Sequence, residues 1–157
     1  MTIIALFIGI EGSSQYSPLH ITAEYGQLDL HNYVMTKSDD KNPKNDTLWT
    51  PLHEAALAGY LDIVKVIFEK IADKNPRNSN GKTPLHEASS NGHFDIVDFF
   101  LKNIDKKDPR DTNSWTPLHL AAYNGYLKIY KLIFKNILEK NPLLNNGRWC
   151  DDNYGIS

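Results

Sequence analysis

Between Leu61 and Ile71 the apolar residues Leu61, Ile63, Val64, Val66, Ile67 and Ile71 are interrupted by Asp62, Lys65, Glu69 and Lys70. That spacing gathers the apolar side chains on one face and predicts an amphipathic helix. A shorter helix is predicted just before it. Thr50 is a good N-cap, and Pro51 suits the first helical position, where its missing N–H costs nothing and its fixed φ helps. The helix then runs through Leu52, Ala55 and Ala56, whose small side chains permit close packing, and ends near Gly59, which tolerates a left-handed turn. After the longer helix, the stretch from Asp73 to Gly81 is made of turn formers and predicts a tight hairpin-like connection.

This unit recurs. Ser17-Pro18-Leu19-His20, Thr50-Pro51-Leu52-His53, Thr83-Pro84-Leu85-His86 and Thr116-Pro117-Leu118-His119 start at positions 17, 50, 83 and 116, 33 residues apart. Gly26, Gly59, Gly92 and Gly125 keep the same register, as do Pro43, Pro76, Pro109 and Pro142, so all 8 prolines are placed. A unit of this length opened by Thr-Pro-Leu-His resembles the ankyrin repeat, over about Ser17 to Gly147. The resemblance implies an all-α solenoid of helix-turn-helix units joined by β-turn or hairpin loops, with a concave face whose usual activity is protein binding. The expected division is an apolar flank over 1–16, repeats over 17–49, 50–82, 83–115 and 116–149, and a tail over 150–157.

Three departures from the family pattern stand out. Ser38, Ile71, Ile104 and Ile137 occupy the place after the second helix where the family usually has glycine, so that helix is expected to end differently. The first unit carries Ser17 for Thr, Thr22 for an alanine and a polar tail from Met35 to Asp40, which suits an amino-terminal cap. A fifth unit would begin at Trp149, but Cys150-Asp151-Asp152 follows without a helical pattern. The last unit is therefore expected to expose Ile129, Leu132, Ile133 and Leu138 unless something covers them.

Composition narrows the function classes. At 157 residues, 41% hydrophobic and 23% charged, the chain is ordinary for a folded protein, and a formal charge of −2 with interspersed signs supplies no field for nucleic acid or anionic lipid. One cysteine, Cys150, makes no internal disulfide and fits a reducing compartment; a cytoplasmic location is expected, with the nucleus as the alternative and secretion disfavoured. The apolar run Met1–Ile10 is too short to span a membrane, and no Lys or Arg precedes Lys37 to mark a secretory signal. It reads either as a flap over the open end of the first repeat or as the residue of a truncated gene.

The histidines invite a catalytic or metal reading. His20, His53, His86 and His119 fall one per repeat. Stacked helices lie about 8–10 Å apart, whereas ligands of one zinc lie about 2 Å from it. These histidines are expected to tie turns together through backbone and the Thr hydroxyl of a neighbouring unit. His93 reads as similar scaffolding, and His31 has no obvious partner. Asp39-Asp40 and Asp151-Asp152 lie in predicted loops, where solvated charge is the default. Asn42, Asn75 and Asn141 fall where the family can carry a hydroxylated asparagine, but each precedes proline, and Asp108 stands in the equivalent place of another unit, which favours a turn role. No phosphate loop or nucleophile elbow is present, so no catalytic residue, metal or cofactor is assigned.

The resemblance also implies a contact surface, carried over position by position. Hairpin tips would present Asp46, Thr47 and Trp49, then Ser79, Asn80 and Lys82, then Thr112, Asn113 and Trp115. First-helix positions would add Tyr25, Leu57, Asn91, Tyr123 and Asn124, with Glu24, Ala58 and Ser90 beside them. Trp49 and Trp115 read equally as interface anchors or as packing against the adjacent hairpin. The expected function is a monomeric, non-enzymatic module that binds another protein, with no small-molecule substrate, nucleic acid or membrane. The alternatives are a stoichiometric inhibitor of an enzyme or transcription factor, and a fragment of a larger multidomain protein.

Overall fold

A computed structural model describes residues 16–140. The apolar segment Met1–Ile10, Asn141, Pro142, Trp149, Cys150 and Asp151-Asp152 lie outside the described residues. Eight helices are present among the described residues: α1 (Pro18–Glu24), α2 (Leu28–Lys37), α3 (Pro51–Ala58), α4 (Leu61–Lys70), α5 (Pro84–Ser90), α6 (Phe94–Asn103), α7 (Pro117–Tyr123) and α8 (Leu127–Lys140). The short helices α1, α3, α5 and α7 stack on one another in one layer, and α2, α4, α6 and α8 stack in a second layer behind them.

The predicted starts are realised through a capping box with histidine in its fourth place. Ser17, Thr50 and Thr83 each take the N-cap with an extended backbone, and proline follows at the first helical position. The first helices end at left-handed residues or one residue before them. Gly59 has φ of +90°, and a Cβ there would sit 2.6 Å from the His93 ring of the next unit. Gly92 meets Tyr126 in the same way. Glycine is thus needed twice over, for its backbone and for the ring that closes over it.

Behind these helices the core runs without a break from Leu19 through Leu52, Leu85, Ile63, Ile67, Ile96 and Phe100 to Ile129 and Ile133. Ile129 and Ile133 are 2% and 0% exposed, so the expectation that the last unit leaves them uncovered is corrected: α8 turns them toward α6 and α7. Leu132 and Leu138 remain half-buried.

The missing glycine after the second helix is replaced by a lysine. Lys41 Nζ donates to the Met35 carbonyl at 2.6 Å and also to that of Ser38, and Lys74 Nζ, 33 residues on, donates to the carbonyl of Phe68. These carbonyls lack helical partners, and a cation there also meets the negative end of the helix dipole. The helices leave in extended conformation at Ser38, Ile71 and Ile104. In the last unit α8 instead continues through Ile137 to Lys140.

Candidate protein-contact face

The recurrent histidine carries the geometry of the tips. The backbone N–H of Ser17, Thr50 and Thr83 donates to Nδ1 of His20, His53 and His86 at 3.2, 3.3 and 3.0 Å. With Nδ1 accepting, the ring proton sits on Nε2, which donates to the carbonyls of Trp49, Lys82 and Trp115 at 3.0, 3.1 and 3.2 Å. Each imidazole therefore binds the hydroxyl of its own unit's cap and the carbonyl that enters the next unit, which corrects the expected neighbouring hydroxyl. Burial lowers the pKa of His20, and brings His53 and His86 to about 4. His93 Nε2 pairs with the Leu57 carbonyl at 2.8 Å, the scaffolding role expected.

His31 is not partnerless. It is fully buried, and its Nδ1 meets Thr22 Oγ1 at 2.7 Å while that hydroxyl donates to the Leu19 carbonyl. The threonine in an alanine position and the stray histidine thus answer one another inside the first unit.

Each tip is built by one side-chain acceptor. Asn45 Oδ1 accepts from the backbone of Thr47 and Trp49, Asn78 Oδ1 from Asn80 and Lys82, and Asp111 Oδ1 from Asn113 and Trp115. Adjacent tips are stitched by backbone bonds, Ser79 N–H to Thr47 O at 2.9 Å and Thr112 N–H to Asn80 O at 3.0 Å. Asn42 Oδ1 and Asp108 Oδ1 serve the next helix instead of their own turn, accepting from the Leu52 and Leu118 N–H groups ten residues on. That refines the turn role expected of Asn42, whereas the side-chain carbonyl of Asn75 is buried without a hydrogen bond.

The sequence candidates sit at the tips and at the ends of the first helices. Asp46, Thr47, Ser79, Asn80, Thr112 and Asn113 are exposed at the tips, Tyr123 is exposed at the end of α7, and Tyr25, Asn91 and Asn124 are exposed as the C-caps of α1, α5 and α7. Leu57, Lys82 and Trp49 are half-buried. Some of these polar groups are already used: Asn91 and Asn124 donate to carbonyls of their own helices, and the Thr112 hydroxyl donates to Asn80.

The two tryptophans separate. Trp49 leans on the His53 ring at 5.1 Å with its indole N–H buried, so packing describes it better. Trp115 is 38% exposed and meets Tyr123, 77% exposed, edge to face at 5.5 Å.

Three residues absent from the candidates complete this face. Tyr16 stands 33 residues before Trp49, and its O–H lies 2.9 Å from Glu24 and 2.7 Å from Glu54. Glu54 and Glu87, equivalent in the repeat, are 7% and 5% exposed. Burial raises the pKa of both. Tyr16, and the nearby Trp49 indole although it falls outside hydrogen-bond geometry, favour the charged form of Glu54, and Lys82 does so for Glu87. The signal for them was the invariant step of 33, which sets Tyr16 in line with Trp49, Lys82 and Trp115.

A family profile described as ankyrin repeats in three copies matches residues 2–78 and again 70–145. The chain belongs to the ankyrin-repeat family. Ankyrin repeats are in general protein–protein interaction modules. No curated protein matches the sequence. In this ankyrin array no described helix is long and apolar enough to cross a membrane, and no group of three or more His, Cys, Asp or Glu among the described residues is placed to hold a metal ion.

Proposed function

We propose that this ankyrin array is a non-enzymatic binding module that holds a partner protein across its tips and first-helix face. The observation that carries the reading is the Trp115–Tyr123 corner, two large exposed aromatics held edge to face at the end of the first-helix layer. Exposed aromatic anchors on rigid backbone lose little side-chain entropy on binding and dominate many interfaces.

The test is affinity capture from cell lysate with the wild-type array beside Trp115→Ala/Tyr123→Ala. A protein retained by the wild type and lost from the variant, with helical circular dichroism unchanged, is the expected result. Equal retention by both, or no retention by either, overturns the reading. If the captured protein is an enzyme, titrating the array into its assay separates an adaptor, which leaves activity intact, from a stoichiometric inhibitor.

A further inference from the structure

The front of the first helices is uneven in charge. Glu24, Glu54 and Glu87 lie on it, and Lys82 is the one cation among the equivalent residues Tyr16, Trp49, Lys82 and Trp115 that line its edge. Glu54 is held by the Tyr16 hydroxyl. Glu87 is less well served: its Oε1 is buried with no hydrogen bond, and the Lys82 ammonium reaches only to 3.9 Å from it, beyond hydrogen-bond distance. Glu54 and Glu87 also repel one another, since each sits in the first turn of a stacked helix in the same register. Helix dipoles offset part of this cost, but a buried carboxylate oxygen without a donor remains unfavourable. Such a group lowers the stability of the free array, in which Glu87 is only 5% exposed.

We propose that this face receives an extended, arginine-bearing segment of the partner protein, with one guanidinium donating to Glu87 and another to Glu54. This rests on the protein-binding reading above and names the partner's chemistry. A planar guanidinium supplies paired donors in the geometry that carboxylates accept, which the tethered Lys82 ammonium does not reach. Stacked helices repeat at about 8–10 Å, and a segment in the extended polyproline II form returns every third side chain to the same side after about 9 Å, so arginines three apart keep register with the glutamates. Trp115 and Tyr123, further along the face, offer the same segment an aromatic platform for a third guanidinium.

The experiment measures fluorescence anisotropy of a labelled peptide with arginine at every third residue, beside the same peptide with glutamine there. The wild-type array is expected to bind the arginine peptide in preference. Glu54→Gln/Glu87→Gln should weaken it by about tenfold or more, the loss of one or two charge-assisted bonds. Asp62→Asn/Asp95→Asn, which changes the net charge equally at exposed sites on the second helices, should leave it within about twofold. Lys82→Met should tighten binding, and Lys65→Met should not. Gln in place of Glu is isosteric and uncharged, and a thermal melt of each variant verifies the fold. Equal affinity for the two peptides, or equal loss in both double variants, overturns the inference. The lysate capture separates the two levels: a partner lost from Trp115→Ala/Tyr123→Ala but held by Glu54→Gln/Glu87→Gln overturns the arginine segment alone, while a partner held equally by Trp115→Ala/Tyr123→Ala overturns the binding reading itself.

Discussion

At the residue scale, the equivalent tip positions Leu48, Gly81 and Ser114 all have positive φ, at 57°, 70° and 64°. The turn geometry imposes this, because Asn45, Asn78 and Asp111 each draw in the N–H groups on either side of it. Only the middle unit supplies the glycine that such a turn favours; a left-handed β-carbon costs roughly 1–2 kcal/mol, and Leu48 is also 45% exposed, so its side chain contributes little in return. Leu48→Gly is therefore expected to raise stability by about 0.5–1 kcal/mol, after allowing for glycine's extra freedom in the unfolded chain. Urea denaturation measures it, and a loss of stability would mean that Leu48 packs more than its exposure indicates. Turn formers in this stretch were legible from the sequence, but the acceptor that organises them was not, since Asn45 is one of several polar residues in a run where only the fold shows which side chain turns inward.

At the scale of the element, the second helices show how a departure from a family pattern is resolved. Lys41 and Lys74 cap carbonyls six residues back, doing from the side chain what a left-handed glycine does from the backbone. Lys74 also lies over the Phe68 ring at 4.7 Å. Lys74→Met should cost about 1 kcal/mol by removing the cap and its interaction with the dipole, while Lys65→Met, exposed in the middle of α4, should stay within about 0.5 kcal/mol. Melting temperatures of the two variants make the comparison, and equal shifts would show that the lysine cap adds nothing. The helices themselves were predictable because their apolar period and caps are local properties. Their ends were not, because a lysine beyond the last turn is an ordinary loop residue until the chain folds back.

At the scale of the whole molecule, the pH dependence of stability follows from buried histidines and carboxylates in successive units. His31, His53 and His86 have pKa values near 4 in the folded state, against 6.5 when unfolded. Between these values the unfolded chain binds more protons, so stability present above pH 6.5 is lost as pH falls toward 4, by about 1–2 kcal/mol per imidazole from pH 7 to 5. Buried Glu54 and Glu87 and half-buried Asp108 work in the other direction, since their raised values favour protonation in the folded state and their cost declines as pH falls. Denaturation from pH 7 to 5 should show falling stability, and Glu54→Gln/Glu87→Gln should be more stable than wild type at pH 7 and fall more steeply. A flat profile in that variant would place the histidines in contact with water. In a one-dimensional array such losses spread through neighbouring units, because each repeat is buried only by the next. The sequence by itself determined the period, the two-helix unit, the starts of the first helices and the core positions, since these follow from local spacing repeated in register. Tertiary structure decided the rest: which imidazole nitrogen holds the next unit, that Thr22 and His31 meet, that α8 turns Ile129 and Ile133 inward, and that Tyr16, Glu54 and Glu87 share a face with Trp115. Each of these depends on residues brought together from different turns or units, and spacing along one chain does not reveal what stacking places side by side.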